Sequence, residues 1–230
     1  MALTNYDSEL DIDPMFSSTH TDVWRRLGDC GTWWTGAQRV AAMSEVRAAF
    51  NCQLCDRRSE ALSPSMVQGS HEAVSDLPQE AVDLVHRLTS DPGRLTQDWA
   101  DTVIAALGEE RYVELVIIVC TQYVIESFAS SLGLPLPELP QPGDGIPAQV
   151  RPPNVGDVGA WVSQTVDKTL ANVSRAASLV PDTEALWRDI VQCHYSRGPE
   201  FAELVWNRAL TRPQVELLAS TVSSLNECFY

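Results

Sequence analysis

The sequence predicts an all-α helical bundle, and three observations support this fold class. Helix-forming residues recur with apolar residues at helical spacing, whereas no segment alternates apolar and polar residues with period two. Apolar residues make up 44% of the 230-residue chain and there are only 12 glycines, which is typical of a globular protein with a sizeable core. One segment rich in proline and glycine interrupts the pattern, so we expect two helical halves joined by a linker.

Four helices are predicted before this linker, at residues 35–50, 80–88, 97–107 and 109–132. Pro78 and Thr96 mark the starts of the second and third, because proline suits the first turn and threonine can cap a helix. Gly108 and Gly133 mark the ends of the third and fourth. The fourth is apolar on most faces, so we expect it at the centre of the core.

The proline- and glycine-rich stretch cannot form a helix and predicts a semi-rigid linker. Beyond it, helices are predicted at residues 158–179, 182–195, 200–210 and 212–228. Thr211 followed by Gln214 is a capping-box signature for the last of these. The predicted domains are a flexible tail at 1–22, a first half at 23–134, the linker at 135–156 and a second half at 157–230, incomplete at its carboxyl end.

The net charge and the apolar runs exclude several classes of protein. A net charge of −15 repels phosphate backbones and anionic membranes, so we expect neither nucleic acid nor a membrane as a partner. The longest apolar stretch, Leu115 to Cys120, is far shorter than the ~20 residues of a membrane-spanning helix. The first residues lack the basic start and apolar run of a secretory signal. We therefore predict a cytoplasmic protein.

Two of the six cysteines form the motif Cys52-Gln-Leu-Cys55, which indicates redox or metal chemistry when no secretory signal is present. At a helix start the two sulfurs share one face, close enough for a disulfide, and the helix dipole favours the thiolate of the first cysteine. A pair of reduced, partly buried thiols is the simpler interpretation. Zinc requires four ligands; Cys30, His20 or His71 could complete a site, but their spacing does not indicate one.

An internal repeat relates Cys52 to Cys228. When the two cysteines are aligned, a roughly four-turn amphipathic helix precedes each of them, and Gln38 corresponds to Gln214. The repeat therefore predicts that each half carries a redox pair after an equivalent helix.

In this register Cys55 corresponds to position 231, one residue beyond the given sequence. We expect residue 231 to exist in the full gene product as cysteine or selenocysteine, because a UGA codon is read as a stop by automated translation. A frameshift, a nonsense mutation or a genuine short form would give the same ending. Cys228 alone cannot form the local disulfide, so we expect the 230-residue form to be impaired at this second site.

The segment Arg212-Pro-Gln-Val-Glu216, followed twelve residues later by Cys228, resembles the core of the alkylhydroperoxidase (AhpD-like) and carboxymuconolactone decarboxylase superfamily. In that family a carboxylate helix leads into Cys-x-x-Cys, and a histidine follows four residues after the second cysteine. Glu216 stands twelve residues before Cys228, as the family glutamate does. The resemblance implies that Cys228 and residue 231 form the main redox centre and that Glu216 is its proton-relay carboxylate.

The first half resembles the peroxidase-related branch of the same superfamily, but it departs from the family pattern around Cys52. Ser59 stands at the family histidine position and Val40 at the carboxylate position, so this pair lacks the family relay. His71 is our candidate relay for it. Glu45, seven residues before Cys52, could also serve this pair, but we expect it at the surface and His86 as a packed helix residue. The resembling segments are His86-Arg-Leu-Thr-Ser-Asp-Pro, Gly108-Glu-Glu-Arg-Tyr-Val-Glu114 and Phe128-Ala-Ser-Ser-Leu-Gly133.

The resemblance implies a thiol- or selenol-dependent peroxidase, or dithiol–disulfide oxidoreductase, with Cys52 and Cys55 as a second or auxiliary pair. It implies a peroxide substrate, a thioredoxin-like or lipoyl-type reductant and no cofactor, and it favours a homo-oligomer. Two alternatives stay open. A cofactor-free decarboxylase of the carboxymuconolactone type would need no cysteine pair, and a non-catalytic helical interaction protein would show no redox chemistry.

Overall fold

The computed structural model describes residue 6 and residues 10–170, 172–195 and 209–226, and it confirms a mostly helical fold. Two-residue strands β1 and β2, Val155–Gly156 and Gln164–Thr165, pair antiparallel. The contacts within the chain separate it into two compact units, a first unit of residues 1–190 and a second unit of residues 191–230. The helices are α1 Pro14–Leu27, α2 Gly36–Ala49, α3 Gln53–Glu60, α4 Gln79–Ser90, α5 Gln97–Leu107, α6 Glu109–Ser131, α7 Asn172–Arg175, α8 Pro181–His194 and α9 Arg212–Leu225.

Helices α2, α4 and α6 pack against one another and form the core of the first unit. Each contributes fully buried apolar side chains, among them Val46, Leu84 and Ile118. Helix α5 packs on α4 and α6, whereas α3 packs on α4. This arrangement brings the start of α3 to the buried side of α4, where the cysteine pair lies.

Helix α6 is the 23-residue central helix that the sequence predicts. It begins after Gly108 and ends before Gly133, and both glycines have positive φ angles (87° and 69°) that suit residues without a side chain. By length and composition α6 could span a membrane, but most of it is buried inside the protein. Its apolar surface is therefore that of a core helix.

Helix α2 carries a complete capping box at its start. The Thr35 hydroxyl accepts the N–H of Gln38, and the Gln38 side chain accepts the N–H of Thr35. The helix ends at Ala49, and Cys52 occupies the position directly before α3. The cap and the short connection together determine where the cysteine motif enters the fold.

Residues 14–22, expected in a flexible tail, form most of helix α1 instead. The Asp13 carboxylate accepts the N–H of Met15 and caps the start of the helix. Trp24 and Leu27 are fully buried on its inner face. Tertiary packing thus orders a segment whose acidic, polar composition suggested otherwise.

The predicted helix at 158–179 is wrong over its first half, which holds the connection and the second strand of the short β1–β2 hairpin. The Asp157 carboxylate accepts the N–H of Gly159, whose φ of 82° belongs to a turn. Side-chain bonding to the backbone offers this segment an alternative to helix formation. Among the described residues of the later part, the helical ones are the four of α7.

The proline-rich segment at 135–156 contains no helix, as its prolines predict, but it also lies against the end of α1. The indole N–H of Trp24 donates to the carbonyl of Glu138 at 2.8 Å, and the N–H of Gly143 donates to the carbonyl of Gly28 at 2.8 Å. These bonds attach the segment to the first unit. The division between the units falls beyond it, within α8.

The described part of the second unit contains the end of α8 and helix α9. The predicted capping box at Thr211 and Gln214 is confirmed. Helix α9 starts one residue after Thr211, as α2 does after Thr35, and both helices are 14 residues long. The helix predicted at 200–210 lies almost entirely outside the described residues, as does Cys228.

Candidate functional site

Four segments of the first unit meet around the cysteine motif. These are α2, the start of α3, α4, and the irregular segment at residues 67–77, which we call the histidine loop because it carries His71. Cys52 directly precedes α3 and Cys55 lies in its first turn. The two side chains are 1% and 2% exposed, so both sulfurs are buried.

His71 contacts both cysteines. Its Nδ1 lies 3.5 Å from the Sγ of Cys52 and 3.6 Å from the Sγ of Cys55. Its Nε2 lies 2.8 Å from the Oδ1 of Asp83 on α4. The structure therefore brings the predicted relay histidine to the pair and adds a carboxylate behind it.

His86 on α4 makes an equivalent set of contacts. Its Nδ1 lies 3.4 Å from the Sγ of Cys55, and its Nε2 lies 2.9 Å from the Oε2 of Glu45 on α2. His86 and Glu45 are both fully buried. The same carboxylate accepts the N–H of Val74 and the hydroxyl of Ser75, so Glu45 also anchors the histidine loop.

The carboxylates assign the same tautomer to both imidazoles. A carboxylate accepts a hydrogen bond, so the Nε2 of His71 carries a proton toward Asp83 and the Nε2 of His86 carries one toward Glu45. In the neutral ring each Nδ1 then presents its lone pair to the sulfurs. Asp83 also accepts from Arg58 at 2.8 Å and from the indole of Trp99 at 2.6 Å, which holds it in place.

The surroundings of the cysteines favour the thiolate. Burial opposes ionisation of Cys55, but hydrogen bonds with His71, His86 and Ser90 outweigh it and lower the pKa from 9.0 to about 6. Burial also opposes ionisation of Cys52, yet backbone N–H groups of Glu72 and Cys55 and the contact with His71 lower its pKa. Cys55 is therefore the more strongly activated of the two thiols.

The pKa values of the His71 imidazole and of the Asp83 carboxyl behind it shift in opposite directions. Burial disfavours the charged form of His71, but Asp83 and the two cysteines raise its pKa to about 10. Burial would raise the pKa of Asp83, but His71, Trp99 and Arg58 hold it well below the usual range. We call the two cysteines, the two histidines and the two carboxylates behind them the cluster. Without a bound metal, the cluster thus supports a thiolate–imidazolium pair backed by a carboxylate.

One expectation for this region is wrong. Glu45 is not at the surface but fully buried and bonded to His86, whereas His86 is the packed helix residue that was expected and also contacts Cys55. Cys55 and His86 are 31 residues apart, and Glu45 and His86 are 41 apart, so no local motif connects them. The signal that could have found them is helical phase, because Glu45 and His86 lie on the buried faces of α2 and α4.

The predicted second centre is only partly described. Glu216 lies on α9 with 43% of its side chain exposed, its Oε1 is 3.4 Å from the Nε of Arg212, and its Oε2 accepts the hydroxyl of Tyr195 at 3.3 Å. Cys228 lies outside the described residues. The role of Glu216 as a relay for Cys228 stays a prediction.

No protein-family description, curated protein or solved structure matches this chain. The evidence for function therefore comes from the chain itself. It consists of the buried cysteine pair, the two histidines that contact it and the carboxylates that orient them.

Proposed function

We propose that the protein is a thiol-dependent peroxidase, or dithiol–disulfide oxidoreductase, of the AhpD-like type, with Cys52 and Cys55 as its redox pair. The observation that carries this proposal is the position of His71, whose Nδ1 lies within 3.6 Å of both sulfurs. One imidazole can thus exchange protons with either cysteine. His71 and Asp83 take the place of the relay residues that are missing at Val40 and Ser59.

The reaction proceeds in two steps whose atoms and electrons balance. The thiolate of Cys55 attacks a peroxide oxygen, the O–O bond breaks, and the leaving alkoxide takes a proton from His71, which leaves a sulfenic acid on Cys55. The thiol of Cys52 then attacks that sulfur; an S–S bond forms and water leaves. The two thiols lose two electrons and the peroxide gains two.

Cys55 is the nucleophile in this scheme because two histidines contact its sulfur, whereas one contacts that of Cys52. Cys52 precedes the first turn of α3 and is placed to resolve the sulfenic acid. A dithiol partner of the thioredoxin-like or lipoyl type would return two electrons and restore both thiols. The residues on either side of His71 are exposed, so we expect these partners to reach the sulfurs from the side of the histidine loop.

The test uses the reduced, chelator-treated chain with a dithiol reductant, and it follows peroxide consumption and sulfenic acid trapping by mass spectrometry. We expect Cys55→Ser to abolish both signals. Cys52→Ser should instead accumulate a trappable sulfenic acid on Cys55, because the resolving thiol is gone. His71→Gln should lower the rate of the first step by about 10²-fold, the usual contribution of a general acid or base.

Cys30→Ser serves as the matched control, since Cys30 is a free cysteine outside the cluster. It should consume peroxide at the wild-type rate. Unchanged turnover in the Cys52→Ser/Cys55→Ser double variant would refute the proposal. Sulfenic acid trapped on Cys52 of the Cys55→Ser variant, with none trapped on Cys55 of the Cys52→Ser variant, would make Cys52 the nucleophile and Cys55 the resolving cysteine.

A further inference from the structure

We propose that Cys52, Cys55, His71 and His86, in their reduced state, form a tetrahedral Zn²⁺ site. The ligand atoms are the two Sγ atoms and the two Nδ1 atoms. All four lie within 4.8 Å of one another, and their residues come from α3, the histidine loop and α4. This inference does not depend on the peroxide reaction, because it concerns what the four side chains bind and not what they reduce.

The spacing between the ligand atoms fits a zinc ion. With Zn–S bonds of about 2.3 Å and Zn–N bonds of about 2.05 Å, the edge of a regular tetrahedron between a sulfur and a nitrogen is about 3.6 Å. Three of the four sulfur–nitrogen distances measure 3.4, 3.5 and 3.6 Å, and the fourth, between Cys52 and His86, lies within the 4.8 Å that bounds the whole set. Two thiolates and two imidazoles are also the donor set that selects zinc in tetrahedral sites.

The carboxylates behind the histidines supply the second requirement of such a site. A histidine that ligates zinc through one ring nitrogen usually donates the N–H of the other to a carboxylate or carbonyl, which fixes the tautomer and the ring orientation. Asp83 accepts from His71 at 2.8 Å and Glu45 accepts from His86 at 2.9 Å. Both Nδ1 atoms are thereby turned toward the two sulfurs.

Burial and charge agree with this assignment. The two cysteines are at most 2% exposed, and the side chains of His71 and His86 are 4% and 0% exposed. Two thiolates balance the two positive charges of the ion, and neutral imidazoles add none, so the ligated core has no net charge to bury. A bound ion would connect α3, the histidine loop and α4 at one point.

Zinc binding and disulfide formation use the same sulfurs and exclude each other. A disulfide has no thiolate to donate to the metal, so the ion belongs to the reduced protein. Peroxide consumption is therefore measured on zinc-free protein, and metal binding is measured on protein that has not been exposed to peroxide. The two measurements test the two proposals separately. Either one can fail while the other stands.

The test measures metal directly on the reduced full chain. We expect one Zn²⁺ per chain by elemental analysis, and a Co²⁺-substituted form with the intense visible bands of a tetrahedral site and a thiolate-to-metal charge-transfer band. Cys52→Ser, Cys55→Ser and His86→Gln should each lose the wild-type spectrum. His71→Gln is the most informative variant, because His71 lies in a loop and its replacement leaves the helical core in place.

Two further variants test the carboxylates. Asp83→Asn and Glu45→Gln should keep the tetrahedral spectrum but weaken zinc affinity by about 10- to 100-fold, which is the usual effect of a ligand-orienting partner. Cys30→Ser should bind as the wild type does. Three outcomes would overturn the site: wild-type binding no stronger than that of Cys52→Ser/Cys55→Ser, an octahedral Co²⁺ spectrum, or full binding by His71→Gln and His86→Gln.

Discussion

At the scale of single residues, the geometry of the cluster depends on what each ring nitrogen of the two histidines contacts. His71 and His86 each face a carboxylate on one side and sulfur on the other. Each carboxylate that orients them accepts two further hydrogen bonds: Asp83 from Arg58 and Trp99, and Glu45 from Val74 and Ser75. The side chain of Asp83 is 22% exposed, so these contacts are largely shielded from solvent.

Replacing Asp83 should make the free energy of unfolding vary less with pH in the acidic range. An aspartate whose pKa is lower in the folded state stabilises the fold fully above its unfolded pKa of about 4, and that contribution is lost as the pH falls further. We expect Asp83→Asn to lower the free energy of unfolding by about 1–3 kcal/mol near neutral pH. Urea unfolding of the reduced protein with chelator, repeated down the pH scale, should show this difference shrinking below about pH 4.

A difference that stays constant from neutral pH to acid would mean that the ionised carboxylate is not the source of the effect. Asp91→Asn is a suitable comparison, because Asp91 pairs with Arg94, which bonds to backbone carbonyls at the end of α3 and not to a cysteine.

At the scale of secondary structure, a second buried pair joins the core helices. Arg39 on α2 and Glu114 on α6 lie 3.8 Å apart, and their side chains are 4% and 0% exposed. Burial raises the pKa of the Glu114 carboxyl and lowers that of the Arg39 guanidinium. Within the described residues the Nε and Nη2 of Arg39 and the Oε1 of Glu114 have no hydrogen-bond partner, although Glu114 Oε2 accepts the N–H of Trp33.

Replacing one member of this pair should lower the free energy of unfolding more than replacing both. Arg39→Leu and Glu114→Leu each leave a buried charge without its partner, so we expect each to destabilise the protein by about 3–5 kcal/mol. The double variant should be more stable than either single one, because two incompletely bonded charges are replaced by apolar side chains. Free energies of unfolding from urea titration of the four proteins give the coupling energy.

Additive losses in the double variant would contradict this account. They would show that Arg39 and Glu114 stabilise the fold through separate contacts.

At the scale of the whole molecule, the two cysteine regions are equivalent in the sequence but not in what the structure describes. Helices α2 and α9 have the same length and the same kind of cap, and each lies at the same distance before Cys52 or Cys228. Only the first of these cysteines lies within the described residues, where partners from α2, α4 and the histidine loop surround it. The two units can therefore be tested independently.

Cys228→Ser should keep the peroxide turnover of the first unit. The groups that contact Cys52 and Cys55, with the carboxylates behind the histidines, lie within residues 45–90, so loss of Cys228 removes none of them. Parallel rate measurements on Cys228→Ser and Cys52→Ser/Cys55→Ser provide the check. Loss of all turnover in Cys228→Ser, with the double variant active, would move the main centre to the second unit, as the family resemblance implies.

Much of the helical framework could be predicted because its signals are local. Capping boxes at Thr35 and Thr211 and the glycines around α6 act within a few residues of the helix ends that they define. Helix α1 was missed because burial of Trp24, a tertiary contact, stabilises it. The hairpin was missed because the Asp157 turn competes with a helix through a side-chain bond that periodicity does not register.

The sequence alone determined that the chain forms amphipathic helices and that Cys52 and Cys55 lie one helical turn apart, because both follow from spacing along the backbone. Only the tertiary structure decided which groups surround the two sulfurs. Glu45, His71 and His86 reach them through the packing of α2, the histidine loop and α4, and contacts between residues 31 or 41 positions apart depend on that packing rather than on local geometry.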